Sequence, residues 1–327
     1  MPALLVASFA PDAVDRPVLA DLIGGTAEIV YLADLDDAGR VDALRRADVL
    51  LASNTARELR PGEAPLLAHA KLIQLLPAGI DFIPIGELPA GVKVASNAGA
   101  YAQPMAEHAV AMVLAAAKRL LVEHAALARG DFNQRGLNRE LAGGVCGVFG
   151  FGAIGVHTAR LLRAFGMRIH AINRRGASDE ATDWIGMPDR LDELLAVADV
   201  LVISSPLTRA TERLIGAREL ARMKPDAILV NLARGEIIDE AVLFAHLQAH
   251  PGFTACIDAW WIEPVRHGRF AMDYPFLDLP NVIGSPHNSA SVASTRSAGL
   301  RVAAENCRRA LRGETPRNLI GPDDRYL

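Results

Sequence analysis

Cysteine is scarce: Cys146, Cys256 and Cys307 are the three in 327 residues, odd in number and widely spaced. They suit a reducing cytoplasm better than a disulfide framework or a zinc site, and no metal is expected. No basic block stands out, because 34 Lys and Arg are set against 38 Asp and Glu for a formal charge of −4. A nucleic-acid footprint would need clustered cations on one face, so no nucleic-acid partner is expected. Long apolar runs are missing too. Ala109–Ala117 is the longest at nine residues, against about 20 for a bilayer span, so no membrane partner is expected. The opening "MPALLVASFA" lacks a charged leader and reads as a first strand rather than a signal peptide. No solenoid-period repeat and no low-complexity linker interrupts the chain.

What remains is a regular alternation of short apolar runs with longer helical segments, the pattern of parallel sheets covered by helices. The length allows two full cores. The first hundred residues hold strand candidates at Leu4–Ser8, Glu28–Leu32, Val49–Ala52, Leu72–Leu76 and Val92–Ala95. A second series follows at Val145–Phe149, Arg168–Ile172, Val200–Ser204, Ile228–Asn231, Thr254–Ile257 and Val282–Ile283. Five strands and then six predict two doubly wound α/β sheets. Between them, residues 103–128 read as one crossover helix, with Pro104 in its first turn and Gly130 as its stop. That helix is apolar nearly all round from Ala109 to Leu114, so it needs cover on several sides, from other elements or from a second subunit. From about Asn288 the spacing is helical again, and Arg301, Arg308, Arg309 and Arg312 read as a solvated face.

The stretch "VCGVFGFGAIGVHTARLLRAFG" places Gly150, Gly152 and Gly155 after a strand and at the opening of a helix. This is the context a dinucleotide loop requires. The first glycine permits a tight turn, the second lets the backbone approach a pyrophosphate, and the third lets helix and strand pack closely. Free N–H groups at the helix start then bind the anion. The next strand ends in Asn173, Arg174 and Arg175, where an NAD site usually carries Asp or Glu for the ribose 2′-OH. Two cations and no carboxylate favour NADP(H) over NAD(H); the alternative is that both arginines are merely exposed turn residues.

Three later segments put polar residues at strand ends: "NLARGEIID" with Arg234, "CIDAWWIEP" with Asp258 and Glu263, and "GSPHNSA" with His287. Ligands of doubly wound sheets sit beyond the carboxyl ends of the strands, so these segments are expected around the nicotinamide. Arg234 is notable because an arginine leaving a buried strand either caps a surface loop or awaits an anion.

Together with "LLPAGIDFIP", "SNAGAYAQPMAEHAVAMVLA" and "SSPLTRAT", these motifs run through nearly the whole chain, which resembles the D-isomer-specific 2-hydroxyacid dehydrogenase family. By that resemblance Arg234, Glu263 and His287 are the catalytic set. The planar arginine would bind the carboxylate of a 2-keto acid and polarise the carbonyl beside it. His287 would protonate the carbonyl oxygen, with Glu263 orienting the ring and favouring its charged form. The resemblance further implies that Asp258 meets the nicotinamide carboxamide and that Pro206, Thr211 and Ala233 line the cofactor. It implies that Ala153 and Ile154 give N–H groups to the pyrophosphate. Ala78 and Gly79 would hold the substrate carboxylate, although Pro77 stands where Ser or Gly is more usual. Trp260 stands where Phe is more usual, and it and Trp261 either pack the core or line the pocket.

The architecture so implied is a flavodoxin-like substrate domain, residues 1–97 plus 288–327, and a Rossmann cofactor domain, 98–287, with a cleft between. The helix at 103–128 would form a homodimer. The expected activity is NADPH-dependent reduction of glyoxylate or hydroxypyruvate in the cytoplasm. An NAD-dependent D-lactate or D-3-phosphoglycerate dehydrogenase is the alternative, and a dinucleotide-sensing corepressor or scaffold a more distant one. Formate dehydrogenases of the family carry Gln where this chain has Glu263, which argues against formate.

Overall fold

Residues 2–324 are described by a computed structural model of the chain. Their strands form two all-parallel sheets. The first contains β1 (Ala3–Ala7), β2 (Ala27–Tyr31), β3 (Val49–Ala52), β4 (Leu72–Leu75) and β5 (Lys93–Ala95), in the order β2-β1-β3-β4-β5. The second contains β6 (Val145–Phe149), β7 (Arg168–Ile172), β8 (Trp184–Gly186), β9 (Val200–Ile203), β10 (Ile228–Asn231), β11 (Thr254–Ile257) and β12 (Val282–Gly284). Its order is β12-β11-β10-β9-β6-β7-β8. The chain divides into two compact units, Met1–Tyr101 with Val292–Leu327, and Ala102–Ser291.

In the first unit the two-residue period of a strand feeds two cores at once. Leu4, Val6, Leu50, Ile73 and Leu75 point to one face, and Leu5, Ala7, Leu51 and Leu72 to the other. Strands buried on both sides read as continuous apolar runs, which is why they stand out in the sequence. The helix Thr295–Leu311 covers the second face with Leu300, Ala303, Ala304, Cys307 and Ala310; Arg301, and Arg312 just past its end, are exposed, whereas Arg308 and Arg309, expected on the solvated face, are half-buried.

In the second unit, β6 pairs with β7 on one side and β9 on the other, so the order of strands reverses between β6 and β9. The helix Ala102–Ala117 finds its cover inside this unit, against the helix Ala153–Ala164 and strands β10 and β11. Among the described residues, no helix is long and apolar enough to cross a membrane.

Two features depart from the sequence reading. Residues 103–128 form not one helix but two, Ala102–Ala117 and Leu120–Ala128, separated by Arg119 at φ 51. The last carbonyl of the first helix is taken by the Arg139 N–H (2.9 Å) instead of a fourth residue onward, and the Lys118 ammonium donates to Arg139 O (2.7 Å). The second departure is β8, three residues at the sheet edge. Its Trp184 stacks on His170 of β7 and lies under the Arg190 guanidinium.

Candidate active site

The glycine loop follows β6 at the point of strand reversal, and each glycine meets a distinct demand. Gly150 has φ +101, and a Cβ there would fall 2.3 Å from Ser205 N. A Cβ on Gly155 would lie 2.6 Å from Gly150 O and 2.8 Å from Val148 Cγ1, so only a bare backbone lets the helix Ala153–Ala164 approach β6. Gly152 caps that helix and has open space where its Cβ would be. Ala153 and Ile154 open the helix, so their N–H groups fall among the donors that a first turn cannot satisfy. The Ser204 hydroxyl, after β9, donates to Gly150 O (2.8 Å) and ties the two loops together.

Past β9, Thr211 spends its hydroxyl inside its own loop. It donates to Pro206 O (2.8 Å) and accepts the Thr208 N–H (2.8 Å), so it shapes the segment that begins at Pro206. Past β7, the Asn173 side chain is likewise a local brace. Its amide donates to Ala177 O (2.9 Å) and its oxygen accepts the Arg175 N–H (3.0 Å), which folds the turn and leaves Arg174 and Arg175 exposed.

Arg234 leaves β10 in extended conformation, and the lone asparagine of that strand sets it there. Asn231, 1% exposed, accepts the Ala233 N–H (3.1 Å) and donates to Arg234 O (2.8 Å). Arg234 Nη1 in turn donates to Ala233 O (2.7 Å). Gly235 follows because the backbone passes so close to Trp260 and Trp261 that a Cβ would be 2.5 Å from Trp260 C.

Glu263 and His287 are brought together from β11 and β12. His287 Nδ1 lies 2.8 Å from each carboxylate oxygen of Glu263, and Glu263 Oε1 also accepts the Trp260 N–H (2.7 Å). Burial pushes the Glu263 carboxyl up. The His287 hydrogen bond and charge, the Trp260 N–H and the Arg234 charge outweigh it and hold that carboxyl below the ordinary glutamate range. The Arg234 charge thus favours the ionised form of Glu263.

His287 has φ 49, a left-handed conformation uncommon outside glycine, though histidine adopts it more readily than most residues. Asp258, fully buried, holds the loop on both sides of it: Oδ1 accepts the Ser285 hydroxyl (2.6 Å) and the Asn288 N–H (3.2 Å). The Ser285 hydroxyl also lies 3.1 Å from His108 Nε2. Asp258 Oδ2 is enclosed without a hydrogen-bond partner among the described residues. An orphaned buried acceptor, an open cradle at Gly152 and unsatisfied N–H groups at a helix start are what a bound dinucleotide would complete.

Ala78 and Gly79 lie in the other unit, half-buried in the turn after β4, where Pro77 O accepts the Asn97 N–H (3.1 Å). Trp260 and Trp261 are packing residues. Trp260 meets Phe270 and Phe276 edge-on and donates its indole N–H to Ser285 O, whereas Trp261 stacks on Phe276 and donates to Ile238 O. The supporting roles of Asn231, Ser285 and His108 were not read from sequence. A polar residue at the end of an otherwise apolar strand was the available signal for the first; the other two depend on contacts 27 or more residues apart. Among the described residues no group of three or more metal-ligating side chains occurs.

Residues 110–289 match the D-isomer specific 2-hydroxyacid dehydrogenase, NAD binding domain. The chain is 31% identical to a D-3-phosphoglycerate dehydrogenase of Methanocaldococcus jannaschii, over 90% of this chain and 55% of that one. It is 32% identical to a glyoxylate reductase of Aeropyrum pernix, over 84% and 83%. A crystal structure of a D-isomer specific 2-hydroxyacid dehydrogenase from Xanthobacter autotrophicus Py2, in complex with NADPH and MES, superposes with a TM-score of 0.79. That match has 26% identity and covers 98% of this chain and 99% of the other. Family match, fold and relatives agree, and the chain belongs to the D-isomer specific 2-hydroxyacid dehydrogenases, oxidoreductases that act on CH–OH groups with a nicotinamide dinucleotide.

Proposed function

We propose that the protein reduces small 2-keto acids, glyoxylate or hydroxypyruvate, to D-2-hydroxy acids, with NADPH preferred over NADH. The observation that carries this reading is the imidazole–carboxylate pair of His287 and Glu263, set beside the Arg234 cation. With Nδ1 committed to Glu263, Nε2 is the ring atom left to hold the mobile proton. In the direction of reduction, His287 gives that proton to the carbonyl oxygen and becomes neutral, while Glu263 stays ionised. In oxidation His287 takes it back. Arg234 binds the substrate carboxylate and polarises the carbonyl beside it. Bound at the glycine loop, a reduced nicotinamide supplies the hydride.

Gly150, Gly152, Gly155 and the N–H groups of Ala153 and Ile154 would hold the pyrophosphate. Asp258 Oδ2 would accept from the carboxamide, and Pro206 and Ala233 would line the cofactor, with Thr211 shaping the loop. Arg174 and Arg175, exposed and without a carboxylate at position 173, support a 2′-phosphate, as does NADPH in the related Xanthobacter protein. Residues 98–287 would serve as the cofactor domain. Residues 1–97 with 288–327 would serve as the substrate domain, where the N–H groups of Ala78 and Gly79 hold the substrate carboxylate. A homodimer is supported by Leu120, Leu121 and Leu127, each more than half exposed, and by Phe132 and Leu137 beside them. Three buried cysteines suit a cytoplasmic site of action.

Two variants test the roles. His287→Ala is expected to lower kcat by about 10²–10⁴-fold, as loss of a proton donor does, with the Kd for NADPH unchanged. Arg234→Ala is expected to lower kcat and also to raise KM for the keto acid. Unimpaired reduction by either variant would contradict its role.

A further inference from the structure

Arg234 and Glu263 leave different strands, β10 and β11, yet on the proposed reading they serve one small molecule. We infer that an ion pair between Glu236 and Arg266 holds their two loops in register, which makes both of these positioning residues. The inference rests on the roles proposed above for Arg234 and His287. Glu236 lies two residues after Arg234, and Arg266 three after Glu263. Arg266 Nη1 and Glu236 Oε1 are in direct hydrogen-bond contact, and the two side chains are 16% and 18% exposed, so water screens them little.

Each partner sits on a braced segment. The Glu236 loop is closed by the Ile238 N–H on Gly235 O (2.9 Å), and Glu236 O accepts the N–H of Arg213 from the segment after β9 (2.7 Å). Arg266 lies on the short helix Pro264–His267, which Glu263 caps, and His267 Nδ1 accepts the Glu263 N–H (3.0 Å). A bridge between Ile262 and Ala271 closes the segment behind it. The loops touch at Gly235, against the backbone of Trp260 and Trp261, and where the Trp261 indole donates to Ile238 O (2.8 Å). Backbone contact at a glycine sets how closely the loops approach but does not stop one sliding past the other. Directional bonds do, and beside the neutral Trp261–Ile238 bond the ion pair is the charge-assisted one. Sliding would shift the guanidinium of Arg234 against the Glu263–His287 pair, and a misplacement of about 1 Å can cost of the order of 10²-fold in rate.

A charge-swap cycle in the full-length enzyme tests the inference. Glu236→Arg and Arg266→Glu are expected each to lower kcat/KM for the keto acid by about tenfold, a coupling usual for residues in contact. KM should rise more than kcat falls, and the Kd for NADPH should stay unchanged. The double swap is expected to recover most of that loss. Singles without effect, or a swap no better than the worse single, would overturn the inference. If the reversals do not fold, Glu236→Gln, Arg266→Gln and their pair form the cycle. There each single should lose activity and the pair no more than the worse single, and additive losses overturn it. Arg234→Ala, assayed alongside, separates the two ideas. If it is impaired while the cycle shows no coupling, the ion pair alone fails; if it is unimpaired, the proposed function fails.

Discussion

His287 stands where a left-handed backbone costs a non-glycine residue about 1–2 kcal/mol. Asp258 offsets that cost by binding the chain two residues before and one residue after it. Glu263 then fixes the ring. Because its carboxyl is held below the ordinary glutamate range, the folded protein binds this proton less readily than the unfolded chain. The stability it contributes is therefore complete above the ordinary range and drains as pH falls through the lowered value. Thermal midpoints of the wild type should drop more steeply than those of Glu263→Gln as pH falls through and below the ordinary glutamate range. Parallel curves would show that the pair adds no pH-linked stability. Glu263 and His287 could be picked out in sequence because their motifs are distinctive. Their mutual geometry, and the left-handed turn that aims the imidazole, are set by contacts between strand ends distant in the chain.

At the scale of elements, the glycine loop is the part most readily legible, since each glycine answers a local steric demand. Gly155→Ala should force the helix Ala153–Ala164 off β6 and destabilise the protein by about 1–3 kcal/mol, as overpacking does. Gly152→Ala, with open space at its Cβ, should leave the thermal midpoint near wild type and weaken dinucleotide binding. Equal midpoint losses in the two variants would contradict this assignment. All eleven strands foreseen from apolar runs are present. The edge strand β8 escaped notice because three residues with one indole carry no period. The break at Arg119 escaped because helical spacing continues across it. The last carbonyl of the first helix, Ala117 O, is taken by Arg139, twenty-two residues on (139 − 117), which no local signal announces.

For the whole molecule, continuous apolar strands and interleaved helices foretell two parallel sheets, and the run of motifs foretells the family. The side chain at C3 of the substrate is not written in any motif, because a pocket selects it through shape, which no short residue pattern records. NADPH and NADH consumption should be followed at the nicotinamide absorbance with a panel of 2-keto acids. Turnover is expected to depend on glyoxylate or hydroxypyruvate, with kcat/KM for NADPH above that for NADH. No keto-acid-dependent oxidation of either cofactor would contradict it, and a tenfold preference for NADH would contradict the role given to Arg174 and Arg175.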